Sequence, residues 1–267
     1  MVWLDNGGCG RDYARLLPPP PALAPWVEHF WIQGEPITIR EGPWRIVADS
    51  CGHLVFSIES HPGRDRIRCL LVGARAVYED IDVGRRVLTV GARLRLGALA
   101  HLTHSKANGV MGRSFRLEDV FGAPGRSLAD RMSHASADRA VHDLSGFLDQ
   151  RFSDREPDLA MQRALESARS VASLAGSLNA SLRALYDRTM ETAGLSPRRL
   201  LRIVRLHRAL HYAAGPGKRW VEIACLAGFA DQAHMVRAFR ALLGEAPNEW
   251  RRRSVADSFN TRALSPR

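Results

Sequence analysis

The stretch Trp220–Arg253, WVEIACLAGFADQAHMVRAFRALLGEAPNEWRRR, limits what this chain can fold into more than any other. Gly228 divides it, because glycine takes a positive φ at little cost. Beyond it Phe229 is expected to enter a core, and Asp231 offers the short carboxylate that caps a helix N-terminus. The apolar residues that follow are Met235, Val236, Phe239, Leu242 and Leu243, spaced as one face of an α-helix. At about 100° per residue, Ala233, Arg237 and Arg240 share another face, with Val236 at its edge. The pattern is helix, tight turn, helix and basic exit. By itself it fits an amphipathic helix with a solvated arginine face. It also fits a helix laid in the major groove of DNA, where small residues leave room for base edges and arginine donates to guanine or phosphate.

Charge placement favours the second reading. The 267-residue chain carries a formal charge of +10. Residues 1–154 hold 19 Arg/Lys against 18 Asp/Glu, and residues 155–267 hold 19 against 10, so +9 of the total lies in the second part. A basic unit is the electrostatic footprint of a polyanion. Of the cations only Lys106 and Lys218 are lysines. The four cysteines, Cys9, Cys51, Cys69 and Cys225, form no C-x-x-C pair, which is the pattern of thiols in a reducing compartment. No signal-peptide pattern and no apolar run long enough to span a bilayer is seen, so a cytoplasmic protein without a membrane partner is expected.

The rest of the chain reads in two styles. Residues 1–21 are irregular and end in four prolines. Up to about Leu99 the signals are short and β-like: Val27–Ile32, Trp44–Ala48, His53–Ile58, Ile67–Val72, Arg85–Val90 and Arg93–Ala98, separated by Gly, Pro and Asp turns. Many short strands predict a small antiparallel barrel or sandwich. Helices are expected at Leu117–Phe121, Ser127–His134 and Ala137–Phe152, with a break at 122–125. The polar run Ser153–Pro157 then marks a boundary. Further helices are predicted at Asp158–Arg169, around Val171–Leu178, from the N-cap Ser181 to Ala193, from Ser196-Pro197 to Ala213, and from Pro247 to Trp250. The fold expected is therefore α+β with two domains: 1–154, a small β-barrel with trailing helices; 155–253, all α with two helix-turn-helix units; and 254–267, a disordered tail.

At this point the chain resembles the AraC/XylS family of bacterial transcription regulators. The residues that carry the resemblance are Gly194-Leu195-Ser196-Pro197, Arg205-Leu206 with Ala209, Ile223-Ala224, Gly228-Phe229, Asp231-Gln232, Arg237 with Phe239, and Gly244 with Pro247. The N-terminal part is similar to the cupin-like sensory domains found ahead of such modules, on Ala48-Asp49-Ser50. The resemblance implies double-stranded DNA as partner, a small-molecule effector or a homodimer through the N-terminal domain, and contact with RNA polymerase. It assigns base reading to Gln232, Ala233, Val236 and Arg237. Two reading helices on one rigid linker would enter successive major grooves roughly 34 Å apart. In the first unit Arg183, Tyr186, Asp187 and Met190 share the groove-facing side, but Asp187 and Thr189 depart from the family pattern. Asp187 would repel phosphate or accept from a cytosine amino group, and Thr189 would leave a core position underfilled.

Other chemistry is thinly supported by the residues. His101 and His104 lack the His-x-His strand of a cupin metal site. His207 and His211 lie at i, i+4 but have no evident third ligand. Trp31, Trp44, Phe56 and Tyr78 are candidates to line a barrel cavity, or are simply core. No catalytic residue, metal ligand or cofactor is assigned. The alternative reading is a cupin-type enzyme or metal-binding protein that carries a DNA-targeting module.

Overall fold

The computed structural model describes residues 15–34, 43–61, 64–82, 85–103, 107–215 and 217–253. The tail expected at 254–267, the first residues of the lead, Cys9 and His104 lie outside them.

The N-terminal half is built on a six-stranded antiparallel sheet in the order β1-β2-β7-β4-β5-β8. Its strands are β1 (Arg15–Leu17), β2 (Val27–Gly34), β4 (His53–His61), β5 (Arg64–Val72), β7 (Arg85–Leu94) and β8 (Ser114–Arg116). A separate ribbon pairs β3 (Pro43–Ile46) with β6 (Glu79–Asp82). Side chains alternate across a sheet, and here the alternation sorts them cleanly. Phe30, Ile32, Leu54, Phe56, Val90, Ala92 and Leu94 form one buried apolar face. Three helices supply the core they join: α1 (Ala98–Thr103), α3 (Ala123–Ser133) through Leu128 and Met132, and α4 (Ala137–Phe152) through Leu144, Phe147 and Leu148. Trp26 stacks on Phe152 with ring centroids 4.4 Å apart.

Four expectations for this half need correction. Arg85–Val90 and Arg93–Ala98 are not two strands: β7 runs unbroken from Arg85 to Leu94, and Ala98 opens α1. Gly91 is no turn. It sits mid-strand because a Cβ there would lie 2.3 Å from the Trp31 indole, which occupies that space. The third helix starts at Ala123 rather than Ser127; only Gly122, at φ 61°, breaks the chain, and Pro124 sits in the first turn where its missing N–H costs nothing. The short strands β1, β6 and β8 were not expected, since three or four residues carry no period of their own and pair only because a partner strand is presented to them. Between β8 and α3 lies α2 (Leu117–Phe121), as expected.

From residue 158 on, the chain is helical: α5 (Leu159–Ser167), α6 (Val171–Ser177), α7 (Leu182–Ala193), α8 (Pro197–Ala214), α9 (Trp220–Ala227), α10 (Gln232–Leu243) and a last helical stretch over 247–253. Their apolar stripes meet in a second core of Leu174, Leu185, Leu200, Leu206, Ile223, Phe239 and Trp250. Two residues of the first half, Ala48 and Leu96, belong to this core. The two halves therefore share buried surface. The amide of Ala48 donates to the Leu242 carbonyl at 3.1 Å, and the Gln162 amide to the Pro25 and Leu96 carbonyls at 3.3 and 3.4 Å.

Candidate nucleic-acid interface

The second helix-turn-helix unit is α9 and α10 about Gly228. Glu222 accepts from the Arg219 N–H and satisfies an orphan donor at the start of α9. At its end Gly228 is left-handed at φ 87°, the Phe229 N–H reaches back to the Ala224 carbonyl at 2.9 Å, and the Phe229 ring is buried. Asp231 then accepts from the His234 N–H at 2.6 Å and opens α10. Met235, Ala238, Phe239, Leu242 and Leu243 are buried. Gln232, Ala233, Arg237 and Arg240 are exposed, and Val236 is half-buried at the edge of that face. Among the described residues neither Arg237 nor Arg240 has a carboxylate partner. Burial pushes the His234 imidazole below its ordinary pKa, and the nearby Arg205, Arg237 and Arg202 push it further. Positive charge thus collects around the first turns of α10, where backbone N–H groups also favour an anion.

The first unit, α6 and α7, has the same plan with weaker parts. Ser170 and Ser173 form a capping box at α6. Asn179, the one positive-φ residue other than glycine among those described, takes the left-handed place of Gly228 at φ 49°. Ala180, half-buried, follows where Phe229 fills the core in the second unit. Ser181 caps α7 by accepting from the Ala184 N–H at 3.1 Å. Arg183, Tyr186 and Asp187 are exposed together and Met190 is half-buried. Asp187 is held by Arg183 at 3.0 Å, so the one cation on this face is matched within the helix. Thr189 does not leave a gap: it is fully buried and its hydroxyl donates to the Tyr186 carbonyl at 3.1 Å.

Between the units runs α8, the linker helix. Its arginines are not all outward-facing charge. Arg208 donates to the carbonyls of Leu165, Glu166 and Ala168, and Arg205 to that of Arg169, whose own guanidinium reaches the Leu226 carbonyl at 2.7 Å. These bonds satisfy helix-terminal carbonyls and tie α5, α8 and α9 into one frame. Asp158 adds a bidentate pair with Arg188 of α7 at 2.6–3.0 Å.

A helix-turn-helix domain family matches residues 174–253. The C-terminal unit is an AraC-type helix-turn-helix domain. A second family, described only as a domain of unknown function (DUF6597), matches residues 15–116. No curated protein matches the chain by sequence. Among solved structures the chain is similar to ToxT from Vibrio cholerae O395, 12% identical, with 80% of this chain and 94% of that one covered and a TM-score of 0.43. It is similar also to the same protein bound to (E)-4-(8-methylnaphthalen-1-yl)but-3-enoic acid, 11% identical over 91% and 99% of the chains, TM-score 0.46. The AraC-type domain makes the chain a DNA-binding transcription regulator.

The AraC-type domain does not stand apart from the sheet. Its α7 packs on α1 and on the short 3₁₀ turn Ala107–Gly109. Its α10 ends against the ribbon: a Cβ on Gly244 would meet Tyr78 at 2.8 Å and Arg45 at 2.9 Å. His207 of α8 is buried and bonds the Ala48 carbonyl through Nε2 at 2.6 Å. His211 is exposed, His207 commits its Nε2 to that carbonyl, and among the described residues no third ligand stands with the i, i+4 pair. Next to Ala48, the carboxylate of Asp49 accepts from the Cys51 N–H, from Arg93 at 2.8 and 2.9 Å, and lies 3.0 Å from His53 Nε2. Burial would raise the pKa of Asp49, but His53, His207 and the Cys51 N–H hold it below the ordinary carboxylate value. Sequence reasoning missed this joint. The only signal was a histidine on the apolar stripe of α8.

The aromatic candidates for a cavity part company. Phe56 belongs to the core beneath the helices, Trp31 is buried on the opposite face of the sheet, and Tyr78 is exposed under the Arg45 guanidinium. The Trp44 side chain lies outside the described set. His101 packs edge-on against Trp26.

Proposed function

We propose that this regulator reads a specific DNA site chiefly through α10, with Gln232, Ala233, Val236, Arg237 and Arg240 as the contacting residues. The carrying observation is the outward face of α10: two arginines that have no carboxylate partner among the described residues, beside the small Ala233, on a helix fixed at both ends and packed along its full length. Arg183, Tyr186 and Asp187 of α7 make the second, weaker contact. We assign residues 1–154 to a sensory or dimerising domain and 155–253 to the DNA-binding domain. The regulator is cytoplasmic and not an enzyme. Its further partners are a small-molecule effector, a second copy of the chain and RNA polymerase.

A gel shift with the full-length protein and the DNA upstream of its own gene tests this reading. Each phosphate neutralised by arginine releases counterions, so affinity should fall steeply as salt rises. Binding that ignores salt, or no preference for that DNA over a scrambled duplex, would overturn the assignment.

A further inference from the structure

The sheet has a second face, and it too is buried although it is polar. Cross-strand partners lie on the same side of a sheet, so register defines its rows. The first is His29–Arg93–His53, the second Trp31–Gly91–Val55, and the third Gln33–Thr89–Ser57–Arg68. His29, Trp31, Gln33, Ser57, Thr89 and Arg93 are all at least 94% buried. Polar groups removed from water are normally hydrogen-bonded, because an unmade bond costs more than a made one returns. Arg68 Nε makes no hydrogen bond, though it faces the Glu59 carboxylate at 3.4 Å, and three neighbours have no partner of any kind: His29 Nε2, Trp31 Nε1 and Thr89 Oγ1. They occupy three successive rows of β2 and β7. Gly91 lets the indole, its Nε1 included, lie over β7.

We propose that this face is a binding site for a small, uncharged, hydrogen-bonding molecule, held by His29, Trp31 and Thr89. The inference rests on the sensory reading of the N-terminal half and gives that reading its ligand class. Charge excludes the ionic classes. Arg93 is matched by Asp49 and Glu28, and Arg68 lies 3.4 Å from Glu59. A ligand carboxylate or ammonium would be buried without a counter-ion. His29, Trp31 and Thr89 are themselves neutral. Burial, and after it His53, lower the His29 pKa to about 4, so the imidazole is uncharged near neutrality. The indole N–H only donates, and the hydroxyl and imidazole both donate and accept, so the ligand brings at least one acceptor. Strand rows on one face repeat about every 7 Å, so the three groups span on the order of 13 Å, the length of a small molecule. The end of the site at Arg93 is one residue pairing from Asp49, and Ala48 beside it touches both α8 and α10.

The test uses full-length protein, wild type, Thr89→Val and Trp31→Phe. Calorimetric titration is run with glucose, xylose and myo-inositol as neutral probes and with benzoate and phosphate as anions. At least one neutral probe should bind wild type and lose tenfold or more in each variant, while the anions give no heat. Thr89→Val without ligand should melt at or above wild type, since it removes an unpaired hydroxyl and keeps the shape. A Thr89→Val protein melting several degrees lower would show a structural hydroxyl and overturn the proposal. So would binding equal in wild type and variants, an anion whose binding the variants abolish, or no neutral probe binding at all. Gel shifts on the same preparations keep the two readings apart. Intact DNA binding with a failed titration rejects the ligand site alone, and lost DNA binding in wild type rejects the regulator.

Discussion

His207 Nε2 lies 2.6 Å from the Ala48 carbonyl, which joins the linker helix of the DNA-binding domain to the sheet-bearing half through a buried hydrogen bond. A carbonyl only accepts, so Nε2 carries the proton. Removing the ring leaves a buried carbonyl without its donor. His207→Ala should therefore cost about 1–3 kcal/mol in stability, with His207→Gln recovering part of it by supplying an amide donor. Chemical denaturation of the three proteins checks this. DNA affinity measured at low temperature, where all are folded, should keep the same salt dependence, because His207 does not face the DNA.

Stability should also fall in acid, and the direction follows from the same buried groups. Burial lowers the pKa of His207 to about 4; Arg93 adds to this, and Asp49 and the Ala48 carbonyl oppose it. His29 is likewise lowered to about 4. An unfolded histidine titrates near 6.5. Between those values the unfolded chain binds more protons than the folded one, so stability is complete above about pH 6.5 and is lost as pH falls toward 4. Each group contributes on the order of 3 kcal/mol across that window. Urea melts at pH 7.5 and pH 5 should differ accordingly, and His207→Gln should narrow the difference. Equal midpoints would show that these histidines are not buried neutral.

The two reading helices should respond oppositely to truncation. Arg237 is exposed and lacks a carboxylate partner on α10, so Arg237→Ala should weaken specific DNA binding by about 1–3 kcal/mol. Asp187 ties up Arg183 on α7. Asp187→Ala frees that guanidinium and removes a charge that repels phosphate, so affinity should hold or rise. Titration of wild type and both variants against one site at fixed salt decides it. An equal loss in both would show that α7 reads bases as strongly as α10.

Gly244 ends α10 at φ 81° and abuts Tyr78 and Arg45. Gly244→Ala should cost about 1 kcal/mol for the left-handed backbone, plus the displacement of both side chains. Gly217, at φ 83° with open space around its Cβ position, supplies the control. Gly217→Ala should cost the backbone part alone, and the difference in melting temperature between the two variants measures the contact between ribbon and reading helix. No difference would mean that Tyr78 and Arg45 move aside freely.

The sequence by itself determined the helical half almost to the residue. Caps and stripes are local: Asp231, Ser181, Gly194, Gly228 and Pro197 act within one turn, and the apolar period of α10 names its buried face without reference to any other element. The β-rich half and its main strands were legible for the same reason, since alternation is written along one strand. Tertiary structure decided what depends on partners far away in the chain. β6 and β8 exist because β3 and β5 are there to pair with them. Gly91 reads as a turn until Trp31 is laid over it from β2. Asp187 reads as an exposed repulsive charge, and only the side-chain geometry closes its bond to Arg183. Above all, nothing local in Ala48 or His207, 159 residues apart, says that they meet. That bond is made because two cores, each legible alone, come together to bury the apolar surface neither covers by itself, and the buried carbonyl between them then requires a donor.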